Sequence, residues 1–177
     1  DMDISRVHPS LRSRAGRMPP MNLENRLALA AAGGMSRMLP GKKIDGVTRQ
    51  VVRLGDGVSL RVYTPAAPSG AGLLWVHGGG LVLGAASMDD RFCGETAREL
   101  GVTIVSVDYR LAPRHPFPAA LDDAHRGWQW LTAHAGELGV STERLAVGGQ
   151  SAGGGLAASL AQKLHDEGAG VAAQWLF

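Results

Sequence analysis

The chain has 177 residues, 45% hydrophobic and 19% charged, which is enough apolar material for one sizeable core and rules against a disordered segment. The formal charge is +2, but residues 1–43 hold eight Lys/Arg against three Asp/Glu, so the rest of the chain is net acidic. Arg6, Arg12, Arg14 and Arg17 in the basic segment lack interleaved aromatics, which reads as a solvated helical face and argues against a nucleic-acid arm.

Residues 1–45 read as an N-terminal cap or arm, in which NLENRLALAAA at 22–32 is the predicted helix, bracketed by proline and glycine pairs. From Val47 the pattern turns to strands. VTRQVVRL, the turn Gly55, Asp56, Gly57 and then VSLRVYTP predict a hairpin with one buried face, Val58, Leu60 and Val62 alternating against Ser59, Arg61 and Tyr63. GLLWVH at 72–77 is apolar without alternation, as suits a strand covered on both faces. Asp89 and Asp90 open a helix on which Phe92, Thr96 and Leu100 share a face. The lone Cys93 lies on it as a buried or idle thiol, and excludes an internal disulfide and a Cys/His zinc cluster.

A second apolar strand follows at 102–109, then a helix begun by Phe117 and Pro118 with Leu121, Ala124, Trp128 and Leu131 on one side. LAVGG at 145–149 is the third buried strand, and AAQWLF at 172–177 opens a fourth. Strands alternating with helices of about a dozen residues predict parallel βαβ units. The last run stops at Phe177 without a turn residue, which reads as a chain truncated at its C-terminus, since half a strand leaves an unpaired edge. No apolar run reaches membrane-spanning length and no signal peptide is recognisable, so the expected location is cytoplasmic.

Two stretches carry chemistry. In LAVGGQSAGGGLAASLAQKL at 145–164, a strand, a tight turn and a helix follow one another, with Gly149 and Gly153 two residues either side of Ser151. Small residues are needed there if the backbone folds sharply enough to lift the hydroxyl out of the turn. The free N–H groups and positive end of the following helix favour negative charge beside that hydroxyl. The second stretch is His77, Gly78, Gly79 and Gly80, a loop directly beyond a strand whose N–H groups can face a ligand without intervening side chains.

The strings HGGG at 77–80, DYRLAPRHPFPAALDDA at 108–124 and GGQSAGGGLA at 148–157 resemble the hormone-sensitive-lipase family of α/β-hydrolases, the HGGG esterases. The resemblance covers most of the chain from about residue 45. It implies an α/β-hydrolase fold, a mostly parallel sheet flanked by helices, with residues 46–177 as the N-terminal part of the domain. The basic segment is similar to that family's cap only loosely. The resemblance also implies a serine carboxylesterase that hydrolyses short- to medium-chain carboxylic esters through an acyl-enzyme, using no cofactor and no metal. Its partner would be a small-molecule ester, with no nucleic acid and no membrane span, and a homo-oligomer is compatible with it.

Carried over by position, Ser151 would be the nucleophile and the N–H groups of Gly78, Gly79 and Ala152 would form the oxyanion hole. His77 would brace the glycine loop and not serve as base, while Tyr109 and Arg110 would anchor the turn beside the serine. Three residues depart from the family pattern: Gln150 stands for the usual Asp, Leu81 for a frequent aromatic and Arg114 for a frequent Glu. Gln150 would change hydrogen bonding at the turn, and Leu81 bears on the shape of the acyl pocket.

A serine nucleophile needs a histidine and an orienting carboxylate, which in this fold follow the serine in the order acid, then His. After Ser151 the chain offers only His165, Asp166 and Glu167. His165 lies fourteen residues along the same predicted helix, roughly 21 Å away and out of reach. His115, His125 and His134 precede the serine. The acid and base are therefore expected beyond Phe177. Two alternatives stay open, a catalytically silent small-molecule binder like the plant gibberellin receptors, which lack the catalytic histidine, and a non-functional partial gene.

Overall fold

The computed structural model describes residues 3–17 and 42–177. Its elements are β1 (Val47–Gly55), β2 (Val58–Pro65), β3 (Gly72–Val76), α1 (Asp90–Leu100), β4 (Thr103–Asp108), α2 (Ala119–Ala133), β5 (Leu145–Gly149), α3 (Ala152–Asp166) and β6 (Ala173–Leu176). The strands form one sheet in the order β1-β2-β4-β3-β5-β6. Residues 3–17 contain short 3-10 turns and one α-helical turn, and their four arginines are exposed. The helix expected at 22–32 lies outside the described residues.

The unbroken apolar runs follow from helices on both faces of the sheet. Leu74, Val76, Val105 and Val107 pack with Ala124, Trp128 and Leu131 of α2 and Leu156, Leu160 and Leu164 of α3. Their alternates Leu73, Trp75 and Ile104 face Cys93 and Ala97 of α1. Each large apolar side chain buried this way contributes roughly 1.5–3 kcal/mol. The chain moves from β3 through α1 to β4, then crosses back through α2 to β5 on the other side of β3. All three strands run parallel, with Val76 paired to Val107 and to Gly149. The helices therefore part at the C-terminal ends of β3 and β5, the place where open α/β sheets hold ligands.

Two expectations are corrected. The hairpin turns through Asp56 and Gly57, both at positive φ, but β2 is not half solvated, because α1 covers the end of its second face. Tyr63, expected on the open face, is 1% exposed and packs under α1. On α1 the buried face is Asp90, Cys93, Gly94 and Ala97, while Leu100 stays 59% exposed. Small residues win this face because they let the helix sit close to its neighbours; a Cβ on Gly94 would meet Ile44 at 2.4 Å. Burial, with Asp89 and Asp90 nearby, holds the Cys93 thiol well above its usual pKa, so it stays protonated.

Asp90 is the polar centre of that interface. Its carboxylate, 1% exposed, accepts from Arg49 of β1 and from Arg61 and the Tyr63 hydroxyl of β2. Asp90→Ala leaves two partly buried guanidinium groups without their counter-charge. The expected cost is about 2–3 kcal/mol, below the roughly 3–5 kcal/mol of a fully buried pair because both arginines keep some water contact. Urea melts of Asp90→Ala and Asp90→Asn check this, and an unmoved midpoint for Asp90→Ala would show that the cluster adds nothing to stability.

Candidate active site

The turn at Ser151 is built by close approach. Ser151 has φ 55° and ψ −123°, a backbone state that costs a non-glycine residue on the order of 1–3 kcal/mol and needs its surroundings to impose it. Neighbouring strand ends supply that constraint. The N–H of Gln150 donates to Val76 O at 3.2 Å, that of Ser151 to Phe177 O at 2.9 Å, and that of Phe177 to Gly149 O at 3.1 Å. A Cβ at Gly149 would stand 2.3 Å from Gly153 O, and one at Gly153 would stand 2.3 Å from both Val76 O and His77 O. The small residues at minus two and plus two are thus required by backbone contact. Ala152 then opens α3, whose N-terminus points positive potential at the serine.

The glycine loop lies over this turn. A Cβ on Gly78 would be 3.0 Å from Gln150 O and 3.5 Å from Ser151 Cβ. His77, 2% exposed, holds the loop from below: its Nδ1 donates to Gly78 O at 2.7 Å, which fixes a proton on that nitrogen because a carbonyl only accepts. The ring stacks on Tyr109 with centroids 4.2 Å apart, and the Tyr109 hydroxyl donates to His77 O at 3.0 Å. Burial first, and then the charge of Asp108, push the Tyr109 phenol well above its usual pKa, so it remains a neutral donor. Among the described residues, the N–H groups of Gly78, Gly79 and Ala152 donate to no protein acceptor. Ser151, Gly78, Gly79, His77, Leu83 and Asp89 line a shared cleft of about 380 Å³.

This arrangement has known counterparts. Residues 73–177 match the family model described as the alpha/beta hydrolase fold. The chain belongs to the α/β-hydrolase family. It is 40% identical to the ethyl acetate hydrolase of Pseudomonas putida over 85% of this chain and 50% of that protein. It is 39% identical to the esterase LipI of Mycobacterium tuberculosis over 75% of this chain and 44% of that protein. Among solved structures, the bacterial heroin esterase superposes with a TM-score of 0.77 at 39% identity, covering 99% of this chain and 58% of that one. The hormone-sensitive-lipase resemblance of the sequence is thereby shown. The chain spans about half the length of the curated relatives it matches.

In this α/β-hydrolase, none of the other described histidines lines the Ser151 cleft. His165 is exposed near the far end of α3, and His125 contacts Glu167 at 2.9 Å. His134 donates from Nδ1 to Trp130 O and stacks on that indole. His77 is the histidine that lines the cleft among the described residues. Of the three departures, Gln150 lies on the cleft wall and Arg114 is exposed. Leu81 packs against the main core and Leu83 takes the wall position, so the residue after HGGG is not where the acyl-pocket expectation put it. Among the described residues no His/Cys/Asp/Glu group could hold a metal ion, and no helix is long and apolar enough to cross a membrane.

Three carboxylates support the site in roles that the sequence does not assign to them. Asp123, fully buried on α2, accepts from the backbone N–H of Arg110 at 2.9 Å and takes its guanidinium through both oxygens, which fixes the turn after β4. Its signal was legible, since Asp123, Gly127 and Leu131 fall on one helical face and a core-facing acid needs a partner. Asp108 accepts from the N–H of Ala86 at 3.1 Å, and Asp89 from Trp75 Nε1 at 2.7 Å. Neither partner is readable without the sheet.

Proposed function

We propose that the protein is a serine carboxylesterase acting on short- to medium-chain carboxylic esters. The observation that carries this reading is that Ser151, held at a strained turn at the start of α3, lines one cleft with Gly78 and Gly79, whose N–H groups donate to no acceptor among the described residues. Ser151 Oγ attacks the ester carbonyl, the carbonyl oxygen takes the charge, and the N–H groups of Gly78, Gly79 and Ala152 with the α3 terminus stabilise it. Loss of the alcohol leaves an acyl-enzyme, which water hydrolyses to the acid. No cofactor enters this scheme.

The imidazole base and its orienting carboxylate are assigned to the part of the relatives' length that this chain does not span. His77 is unsuited to the base role because it is buried beneath the glycine loop with its Nε2 4.0 Å from Asp108 Oδ1. Residues 1–45 serve as an N-terminal cap or arm to the domain whose N-terminal part is residues 46–177. The similarity to an ethyl acetate hydrolase supports a small ester as substrate.

The test is acyl-enzyme trapping in a chain carrying the remaining length. A burst of chromophore from a short-chain nitrophenyl ester is expected, together with an acyl mass on the peptide that contains Ser151. An adduct elsewhere, or ligand binding with no turnover, would replace the esterase reading, the second outcome with a silent binding protein.

A further inference from the structure

Beside the Ser151 cleft lies a second cavity of about 380 Å³, lined by Trp75, Phe92, Gln150 and Phe177. Gln150 stands in the walls of both, so the two spaces adjoin. Aromatic rings dominate the second one. Trp75 forms its buried floor, with Phe92 at 4.4 Å and Phe177 at 6.1 Å between ring centroids. Phe92 and Phe177 are the more exposed members, and their planes stand at 89° to each other.

The charge that the described residues bring to the paired spaces has one sign. Among the described residues, Asp89 is the one Asp, Glu, Lys or Arg lining either cavity. Its carboxylate is held in place through Oδ2 by the Trp75 indole N–H at 2.7 Å. That bond ties the charge to the aromatic floor, and an indole that donates to an anion is polarised so that its ring carries more negative charge. Aromatic faces attract cations through the ring quadrupole, and a half-buried carboxylate adds direct attraction. An anionic group entering the same space would meet repulsion from Asp89 and find no basic side chain among the described residues lining it.

We infer that Asp89 and the Phe92–Phe177 wall form a subsite for an ammonium group, so that the cleft selects esters with a cationic arm over neutral or carboxylate-bearing ones. Asp89 supplies the charge, and the aromatic wall supplies contact for the apolar surface of an alkylated ammonium. The substrate preference rests on the esterase reading, whereas ammonium binding does not.

Binding is read first, without chemistry. Choline, its neutral isostere 3,3-dimethylbutanol and the anion 3,3-dimethylbutanoate are titrated into the protein, following the NMR signal of the Trp75 indole N–H. Choline is expected to bind about tenfold more tightly than the neutral isostere and the anion most weakly. Asp89→Asn, which keeps an acceptor for the indole, should erase most of the preference, and Phe92→Leu should weaken choline more than the isostere. Equal affinity of choline and its isostere in the unmodified protein overturns the proposal. A preference that survives Asp89→Asn overturns the role of Asp89.

The kinetic arm compares kcat/KM for a choline ester and the matching 3,3-dimethylbutyl ester. Turnover of both with equal efficiency sinks the subsite and leaves the esterase standing. Asp89-dependent choline binding without turnover of any ester does the reverse.

Discussion

Ser151→Ala is expected to lower kcat by about 10⁶-fold in a chain carrying the relatives' full length, and to change nothing measurable in residues 1–177 alone. Nucleophile and base act as one unit, so the loss of either costs nearly as much as the loss of both, leaving roughly 10³–10⁴ over water from charge stabilisation and binding. Within residues 1–177 the serine has its turn and neighbouring N–H groups, yet the histidine that lines its cleft is buried, with its Nε2 4.0 Å from Asp108 Oδ1. Chromogenic ester assays of both lengths, each beside its Ser151→Ala variant and with circular dichroism to establish folding, measure the contrast. Turnover by residues 1–177 that disappears in the variant would show that a histidine of this chain accepts the serine proton.

Gly153→Ala should damage stability and rate together. Its new Cβ would meet Val76 O and His77 O at 2.3 Å and His77 C at 2.7 Å, all of them backbone atoms that no rotamer change can move aside. Relief requires α3 to move away from the end of β3, which also shifts the glycine loop off Ser151. Overpacking of this kind costs about 3 kcal/mol, and a displacement near 1 Å at the reacting groups costs on the order of 10²-fold in rate. Gly155→Ala is the matched control two residues along the same helix, with nothing within 4 Å of its added Cβ. There the change should stabilise by about 0.5–1 kcal/mol through helix propensity. Urea midpoints and ester hydrolysis for the pair decide the matter; a Gly153→Ala protein with the parent's midpoint and rate would mean that the close approach is not a constraint.

The parts legible in the sequence are those whose causes are local. Strand burial on two faces writes itself as the unbroken runs at 72–77 and 102–109, and the collision geometry of the serine turn writes itself as glycines at fixed offsets. What stayed hidden depends on partners distant in the chain. Asp90 reads as an ordinary helix-opening acid until Arg49 and Arg61, 41 and 29 residues earlier, are brought to it by the hairpin. Phe92, Thr96 and Leu100 share a face, but the buried face of α1 is the one with Cys93, Gly94 and Ala97, since the surface it meets favours small side chains. Tyr63 reads as a solvent-facing residue because the helix that covers it, α1, lies further along the chain and leaves no mark in the strand. The link of Asp89 to Trp75 needs the sheet to place a strand side chain beside a helix start.

The paired bonds between Phe177 and the turn at Ser151 bear on the order of events during synthesis. Ser151 donates to Phe177 O and Gly149 accepts from Phe177 N, so two of the bonds that impose the turn come from 26 and 28 residues further along. A nascent chain leaving the ribosome carries its GxSxG stretch well before it carries those partners, and closing the intervening segment must precede the reward of forming them. The hydroxyl is thus present in the growing polypeptide before the backbone that aims it, and this part of the active centre is completed only when β6 joins the sheet.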